Sequence, residues 1–484
     1  MKKIILKWRG LSVQTKSSLI YTISNIITKG VTFISIPIFT RLMTASEIGV
    51  GTTYMSWQAI LYAIATLSIT SGSLNIAMMH YKDERDRYQS AVLILSTISA
   101  MIITVIYLIF SGQLNRIMSL TSPLVGVMLL SFFLMPAMDI WLIRQRYEYN
   151  YKSTALISII SSSLSIIVAI VFVLFTKNIG IEKLGTVRVV SQNIVVFLFC
   201  IIFYILILYK GRCLYSKEYW KFALTLSIPL IFHALSKQVM DVSDRIMISN
   251  MCGEAEAGIY GTIYSISTMV LVLWSAINNS IIPFLFEKIK SKEYSQIRKM
   301  INPILSFFAV VALLLTVIAP DIIRIILPKE FYSAIYIIPA LAAGIYLTTL
   351  YNLFSNVLLY YKKTNYIMIA TSVAALINIT INYFFIPKFG YYIAAYTTLL
   401  SYIILSIMQY IMMKIISKEN IFDIKFILII SFMTVLLNLS CTILYINNTV
   451  RYITLIVLIC VSVFFRKNIF YFFKNLKNNQ VNKN

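Results

Sequence analysis

Fourteen apolar stretches, at about 17–40, 50–72, 89–111, 121–143, 153–176, 184–209, 223–249, 258–286, 303–327, 333–359, 364–386, 390–413, 424–446 and 450–473, make up most of this chain. Each reaches the ~20 residues that an α-helix rising ~1.5 Å per residue needs to cross a ~30 Å hydrocarbon layer. Within that layer every backbone amide must find its partner in the protein, so stretches of this length become helices. With 59% hydrophobic and 12% charged residues over 484 positions, too little polar sequence remains for a soluble domain. The expectation is an all-α integral membrane protein with 14 transmembrane helices. Lys2, Lys3, Lys7, Arg9 and Lys16 precede the first run as in a signal peptide. That run is too long and polar for a signal core and many more follow, so it reads as a retained helix.

A net charge of +24 would suggest nucleic acid in a soluble protein. Here its distribution gives it another meaning. If the amino terminus is cytoplasmic, 30 of the 42 basic residues fall on inner segments, nine in or beside outer loops (Arg41, Arg116, Lys177, Lys183, Arg188, Arg324, Lys329, Lys388, Arg451) and three, Lys29, Lys237 and Arg245, inside spans. This is the positive-inside bias, and it puts both termini in the cytoplasm. The longest inner connection, 287–302, reads as a basic helix lying on the membrane surface, near anionic lipid.

An internal repeat organises the spans. Glu47-Ile48-Gly49 recurs as Glu256-Ala257-Gly258 at an offset of 209, and the Tyr54 that follows it as Tyr264 at 210. Lys177-Asn178-Ile179-Gly180 with Ser191 matches Pro387-Lys388-Phe389-Gly390 with Ser401 at 210. Two pseudo-symmetric six-helix lobes follow, 1–212 and 213–418, with two added helices and a cytoplasmic tail in 419–484. Six spans per copy make the repeat parallel, about an axis along the membrane normal, with a cavity expected between the halves.

Three stretches carry a resemblance. Pro37 to Thr53, with Thr40-Arg41-Leu42 and Glu47-Ile48-Gly49, resembles the first loop of the bacterial polysaccharide-unit flippases. These are the O-antigen (Wzx type) branch of the multidrug/oligosaccharidyl-lipid/polysaccharide exporter superfamily, to which the drug-exporting MATE proteins also belong. Ile228-Pro229, Asp244-Arg245-Ile246 and Ala257-Gly258-Ile259-Tyr260 resemble it at family-like spacing, as do Phe389-Gly390 and Ala394-Ala395. The likeness covers the first twelve spans. It implies a V-shaped bundle in the bacterial inner membrane that moves a polyprenyl (undecaprenyl)-diphosphate-linked oligosaccharide from the cytoplasmic to the outer leaflet by alternating access. O-antigen or capsule synthesis would be the setting, with a polysaccharide polymerase and a chain-length regulator as further partners and no nucleic acid. Glu182, Lys183 and Arg188 depart from a turn that is more apolar in the family.

An anionic diphosphate headgroup calls for cations facing a wet cleft. Lys29 lies about 12 residues, ~18 Å, inside the first span, too deep to reach either surface by extending its stem. Lys237 falls within one position of its repeat equivalent in the seventh span. Both are candidate contacts for the headgroup, with Arg188 a third cation; for Lys237 the alternative is neutralisation by Asp241, one turn on. His233, Lys237, Asp241 and Arg245 step by four along the seventh span, with Asp244 beside them. They make a polar stripe that offers a site for a coupling H⁺ or Na⁺, against an Asp244–Arg245 pair that only anchors the helix end. Asn278 and Asn279 are candidate sugar contacts. Trp57, Gln58, Trp274, Tyr351, Asn352 and Asn356 read mainly as helix-packing and belt residues, and Asp139 as an interface residue paired with Arg144 or Arg146.

Neither a phosphate-binding glycine loop nor a His-Glu metal spacing is present, and five scattered cysteines read as apolar filler, so no catalytic, metal or cofactor chemistry is expected. A drug or cation antiporter would favour acidic cavity residues over Lys29 and Lys237, although the acids of the seventh span keep that reading open. A membrane-embedded polysaccharide polymerase would need an outer loop far longer than the roughly dozen residues found here.

Overall fold

The computed structural model describes residues 12–70 and 72–460, and these are helical throughout apart from short connections. In chain order the helices are α1 (Val13–Leu42), α2 (Ala45–Ala65), α3 (Ser73–His80), α4 (Arg85–Met118), α5 (Ser122–Tyr147), α6 (Tyr151–Asn178), α7 (Leu184–Gly211) and α8 (Lys217–Met251). There follow α9 (Glu254–Thr268), α10 (Val270–Lys290), α11 (Tyr294–Ile326), α12 (Ile338–Tyr360), α13 (Thr364–Phe389), α14 (Tyr392–Ser417), α15 (Ile424–Ser440) and α16 (Asn448–Cys460). Short 3₁₀ turns, Lys329–Ile337 and Cys441–Tyr445, lead into α12 and follow α15. Among the described residues eleven helical segments are long and apolar enough to cross a membrane, or twelve if α8, bent by 44° between Ile228 and Leu230, is one span. Fourteen were expected. α2 falls short because Glu47, Thr52, Thr53 and Gln58 dilute its hydropathy, and the run at 450–473 continues beyond the described residues.

Two further expectations are corrected. The run at 50–72 is not one helix: α2 stops at Ala65, Leu67 and Ser68 take left-handed conformations (φ 51° and 48°), and the short α3 resumes at Ser73. The Ser68 N–H and hydroxyl both return to the Ala63 carbonyl, closing the helix end despite the conformational cost. The basic segment 287–302 is not a separate surface helix either. Lys288 and Lys290 finish α10, and α11 starts at Tyr294 and runs unbroken to Ile326. At the turn between them, hydrogen bonds from Lys288 and Ser291 hold the Glu293 carboxyl below the ordinary glutamate range.

The chain divides into two compact units, Met1–Gly261 and Thr262–Asn484. In the first, α1 lies on α6, α6 on α7, α7 on α5, and α4 on both α5 and α7, while α8 packs against α2, α3 and α4. The second is built around α12, 89% of whose most apolar window is buried. Ala340, Ala342, Ala343 and Gly344 let α11, α14 and α15 approach it closely, as small residues do where helices pack in lipid. The pairings α4–α5, α5–α7 and α6–α7 of the first unit recur as α11–α12, α12–α14 and α13–α14 in the second. α8 opens the second sequence copy but packs within the first unit, so the contact boundary at 261 lies one helix beyond the repeat boundary at 212.

The recurring Glu-x-Gly turns have a packing explanation within the first unit. Thr44-Ala45-Ser46-Glu47 is a capping box: the Thr44 hydroxyl accepts from the Glu47 N–H, and the Glu47 carboxylate accepts from the Thr44 N–H at 2.9 Å. The other Glu47 oxygen accepts from Leu184 N–H at 3.1 Å, satisfying the start of α7 as well. Glycines let three helix ends touch backbone to backbone. A Cβ at Gly49 would lie 1.7 Å from the Glu254 carbonyl oxygen, one at Gly258 2.0 Å from that of Ala45, and one at Gly185 2.4 Å from that of Glu47. The first two contacts are reciprocal at the repeat offset of 209, since Ala45 and Gly49 correspond to Glu254 and Gly258. The two copies of the motif therefore cross each other.

In the second unit Arg451, 1% exposed, bonds Asp321 at 2.7 Å and ties α16 to α11. Arg451→Ala would leave that carboxylate without its cation, and a loss of ~3 kcal/mol is expected. A lower thermal midpoint of the detergent-solubilised protein checks it, with part of the loss regained in Arg451→Met/Asp321→Asn.

Candidate functional site

Lys29 is exposed and forms no ion pair among the described residues. Its helix α1 meets α6 along a seam marked by the buried Ser17, Ser24 and Ser35, with the Ser24 hydroxyl 3.5 Å from the Ala155 carbonyl. At 100° per residue Lys29 sits roughly 120–140° around from that seam. Ser18, Thr22, Asn25, Lys29 and Thr32 share that outward face, stepping by three and four. Thr22 and Thr32 turn their hydroxyls back to carbonyls of α1 itself, which leaves Lys29 as the charged group on this stripe. A polar stripe inside an otherwise apolar span belongs against water or protein rather than lipid.

On α8 the stepping of four brings Lys237 to Asp241, with Nζ and Oδ2 3.3 Å apart. The alternative weighed from the sequence is thus present. The pair is open, with side-chain exposures of 60% and 35%, and an exposed i,i+4 pair contributes no more than ~0.5 kcal/mol. Lys237 can therefore exchange partners at little cost. Asp244, two turns beyond Lys237, is 4% exposed and accepts from the Tyr260 hydroxyl at 2.8 Å. Arg245 is half-buried. The side chain of His233 lies outside the described residues.

Arg188, near the start of α7, lies over the Phe39 ring at 4.1 Å, a cation–π contact that tethers it to α1. Asn278 accepts from Asn356 at 2.8 Å and so joins α10 to α12; its neighbour Asn279 is exposed. Trp274 packs edge-on against Phe308, Tyr351 stacks on Tyr402, and Asn352 bonds back to the Thr348 carbonyl.

Asp139 does not hydrogen-bond either arginine proposed for it. Arg144 is taken by Asp86 and, at 2.7 Å, by Glu148, while Asp139 accepts from the Tyr62 hydroxyl at 2.6 Å. That bond ends a ladder: Tyr54, Gln58 and Tyr62 on α2 face Ser131, Met135 and Asp139 on α5, both sets stepping by four, and Gln58 donates to Ser131 at 2.9 Å. The stepping was visible in the sequence, but only the packing of α2 on α5 shows that the two sets meet. At the offset of 210, Tyr54, Gln58, Ser131 and Met135 correspond to Tyr264, Thr268, Leu341 and Ile345. In the second unit these four line a cavity of about 20 Å³, together with Thr398 and Tyr402, large enough for one water. The seam is filled by side-chain bonds in the first unit and left hollow in the second.

Within the first unit, Tyr81 donates to Glu218 at 3.0 Å and Tyr219 to Glu84, a reciprocal clasp between the α3–α4 turn and the start of α8. Burial first, then the Glu218 bond, pushes the Tyr81 hydroxyl up to about 12.

With this geometry established, comparison with known proteins places the chain. The profile of a family described as polysaccharide biosynthesis protein matches residues 14–289. Protein 1 of the Lsg locus of Haemophilus influenzae is 25% identical over 202 residues, 40% of this chain and 49% of that protein. An uncharacterised membrane protein of the same organism is 29% identical over 177 residues, 35% and 42% of the two chains. The match thus spans about half the length of these curated relatives or less. Among solved structures, the lipid II flippase MurJ in an inward closed conformation superposes with a TM-score of 0.65 at 16% identity, covering 93% of this chain and 100% of that one. An inward-facing multidrug resistance MATE transporter of the MOP superfamily gives 0.57 at 16%, covering 85% and 97%. This is a multi-pass membrane protein with the MurJ- and MATE-like fold, and the chain belongs to the polysaccharide biosynthesis protein family.

Proposed function

We propose that this protein flips an oligosaccharide carried on a polyprenyl diphosphate from the cytoplasmic to the outer leaflet of a bacterial inner membrane by alternating access, supplying O-antigen or capsule synthesis. The observation that carries the reading is the outward polar stripe of α1 with Lys29 at its centre, a cation more than three turns inside a span and unopposed by a carboxylate. Lys237 on α8 adds a second exposed ammonium, held only by a weak pair. Two ammonium groups match the charge of a diphosphate, and flexible lysine stems bind it as point charges that can also let it go. Cationic exposed groups favour an anionic lipid over the cationic drugs of a MATE-like antiporter. The positive-inside distribution supports cytoplasmic termini, and a polymerase and chain-length regulator would act on the delivered units. The protein acts here as a transporter, not an enzyme.

Deleting the gene in its host tests this. Surface polymer should be lost while lipid-linked single repeat units accumulate facing the cytoplasm; normal polymer with no accumulation would refute the reading.

A further inference from the structure

A coupled transporter needs a group inside the membrane that can gain and lose an ion, and the acids proposed for this from the sequence are engaged. Four aspartates lie more than a turn inside a described helix: Asp139, Asp241, Asp244 and Asp321. Asp241 is held by Lys237 and Asp321 by Arg451, so each has a cation in contact. Asp244 is sealed at 4% exposure. Asp139 differs from all three. It is half-buried, its hydrogen bond among the described residues is to the neutral Tyr62 hydroxyl through Oδ2, and it sits eight residues, ~12 Å, inside the inner end of α5.

We infer that the Tyr62–Asp139 pair, in the α2–α5 seam of the first unit, is a proton-binding site. The groups facing it are few. Tyr62 comes from α2, Cys200 from α7, and Arg146 lies two turns along α5 itself, near enough to act on the charge without touching it. α4 meets α5 through Asp86 on Arg144 and Gln89 on the Ile140 carbonyl, and α3 through Asn75 on the Tyr147 hydroxyl, all away from the carboxylate. A hydronium ion delivers its proton to Oδ1 and leaves as water; one O–H bond forms, one breaks, and Tyr62 goes on donating to Oδ2. That bond then changes from charge-assisted to neutral, losing roughly half its strength. Tyr62 lies four residues before α2 breaks at Thr66 to Ser68, so the change is delivered to a segment already held in left-handed conformations. The second copy lacks the device, because Asp139 and Tyr62 correspond there to Thr349 and Val272.

The coupling role rests on the flippase reading, whereas the proton site does not, and two measurements separate them. In infrared difference spectra of the full chain in nanodiscs, acid minus alkaline, a carboxylic C=O band should be present in wild type. It should move in Asp139→Glu, keep its intensity but titrate at a different pH in Tyr62→Phe, and vanish in Asp139→Asn. An unchanged band in Asp139→Asn would overturn the site. In vesicles with an imposed pH gradient, Asp139→Asn should slow gradient-driven translocation of an undecaprenyl-diphosphate oligosaccharide at least about tenfold, equivalent to ~1.4 kcal/mol. Gradient-independent exchange should persist. Full gradient-driven transport in the variant would overturn the coupling role. No translocation even by wild type would count against the flippase reading, leaving the infrared result to decide the site.

Discussion

Lys29→Ala is expected to reduce surface polysaccharide at least about tenfold with the protein still in the membrane, since a charge-assisted contact to phosphate contributes ~1.5–3 kcal/mol. The fold has little stake in this side chain. Lys29 points away from the α1–α6 seam and pairs with no carboxylate among the described residues, so its truncation leaves no cavity and no orphaned charge. Loss of function without loss of protein is thus the signature of a substrate contact. Lys29→Arg should keep most activity, and Lys29→Gln should behave like Ala because it keeps length but not charge. Lys237→Ala should have the smaller effect, because Asp241 already offsets that ammonium; part of the loss comes from the freed carboxylate, which repels a diphosphate. Lys237→Ala/Asp241→Ala should recover part of that loss. Immunoblots of membranes alongside gels of surface polymer read both quantities, and full polymer in Lys29→Ala would remove the cationic-site proposal.

The largest stability effects are expected at the crossing of the two motif copies. At Gly49 and Gly258 a single added methyl would overlap backbone oxygen rather than a movable side chain, at 1.7 Å and 2.0 Å. Relief requires the start of α2 to part from the start of α9, breaking the contacts of both together. Overpacking of ordinary cores costs ~1–3 kcal/mol, and a clash against backbone belongs at or above the top of that range. Gly49→Ala or Gly258→Ala should therefore lower the thermal midpoint in detergent by roughly 5 °C or more, and the leucine variants should fail to accumulate. Gly112→Ala and Gly126→Ala provide the contrast. Both positions are helical with nothing within 4 Å of the added methyl, so no fall is expected, and alanine in place of glycine improves helix propensity by up to ~1 kcal/mol. Equal melting of all four variants would show that the crossing is not a close backbone contact.

How much was legible in advance depended on the kind of interaction. Helix positions followed from hydropathy, because lipid leaves the backbone no alternative; thirteen of the fourteen runs carry a described helix over most of their length, and the last begins one. The break after Ala65 was not legible, because its left-handed residues are Leu67 and Ser68, neither of which favours that conformation, and a strained turn is held by its surroundings. In the candidate site, the Lys237–Asp241 pair could be named beforehand since i,i+4 partners share one helix. Asp139 could not be assigned. Its partner is 77 residues away on another helix, and sequence proximity favoured the two arginines that the structure uses elsewhere or leaves at a distance.

From sequence alone came a helical, membrane-spanning chain with basic residues concentrated in alternate connections, a recurring motif and lysines within spans, because each of these is set by local composition and by periodicity along one helix. Tertiary structure alone decided which side chains meet across helices: glycine against carbonyl at the crossing, Tyr62 on Asp139, and a solid seam in one unit beside a hollow one in the other. The reason is physical. A 3.6-residue period gives the direction in which a side chain leaves its own helix, but what it meets there depends on how helices distant in sequence pack.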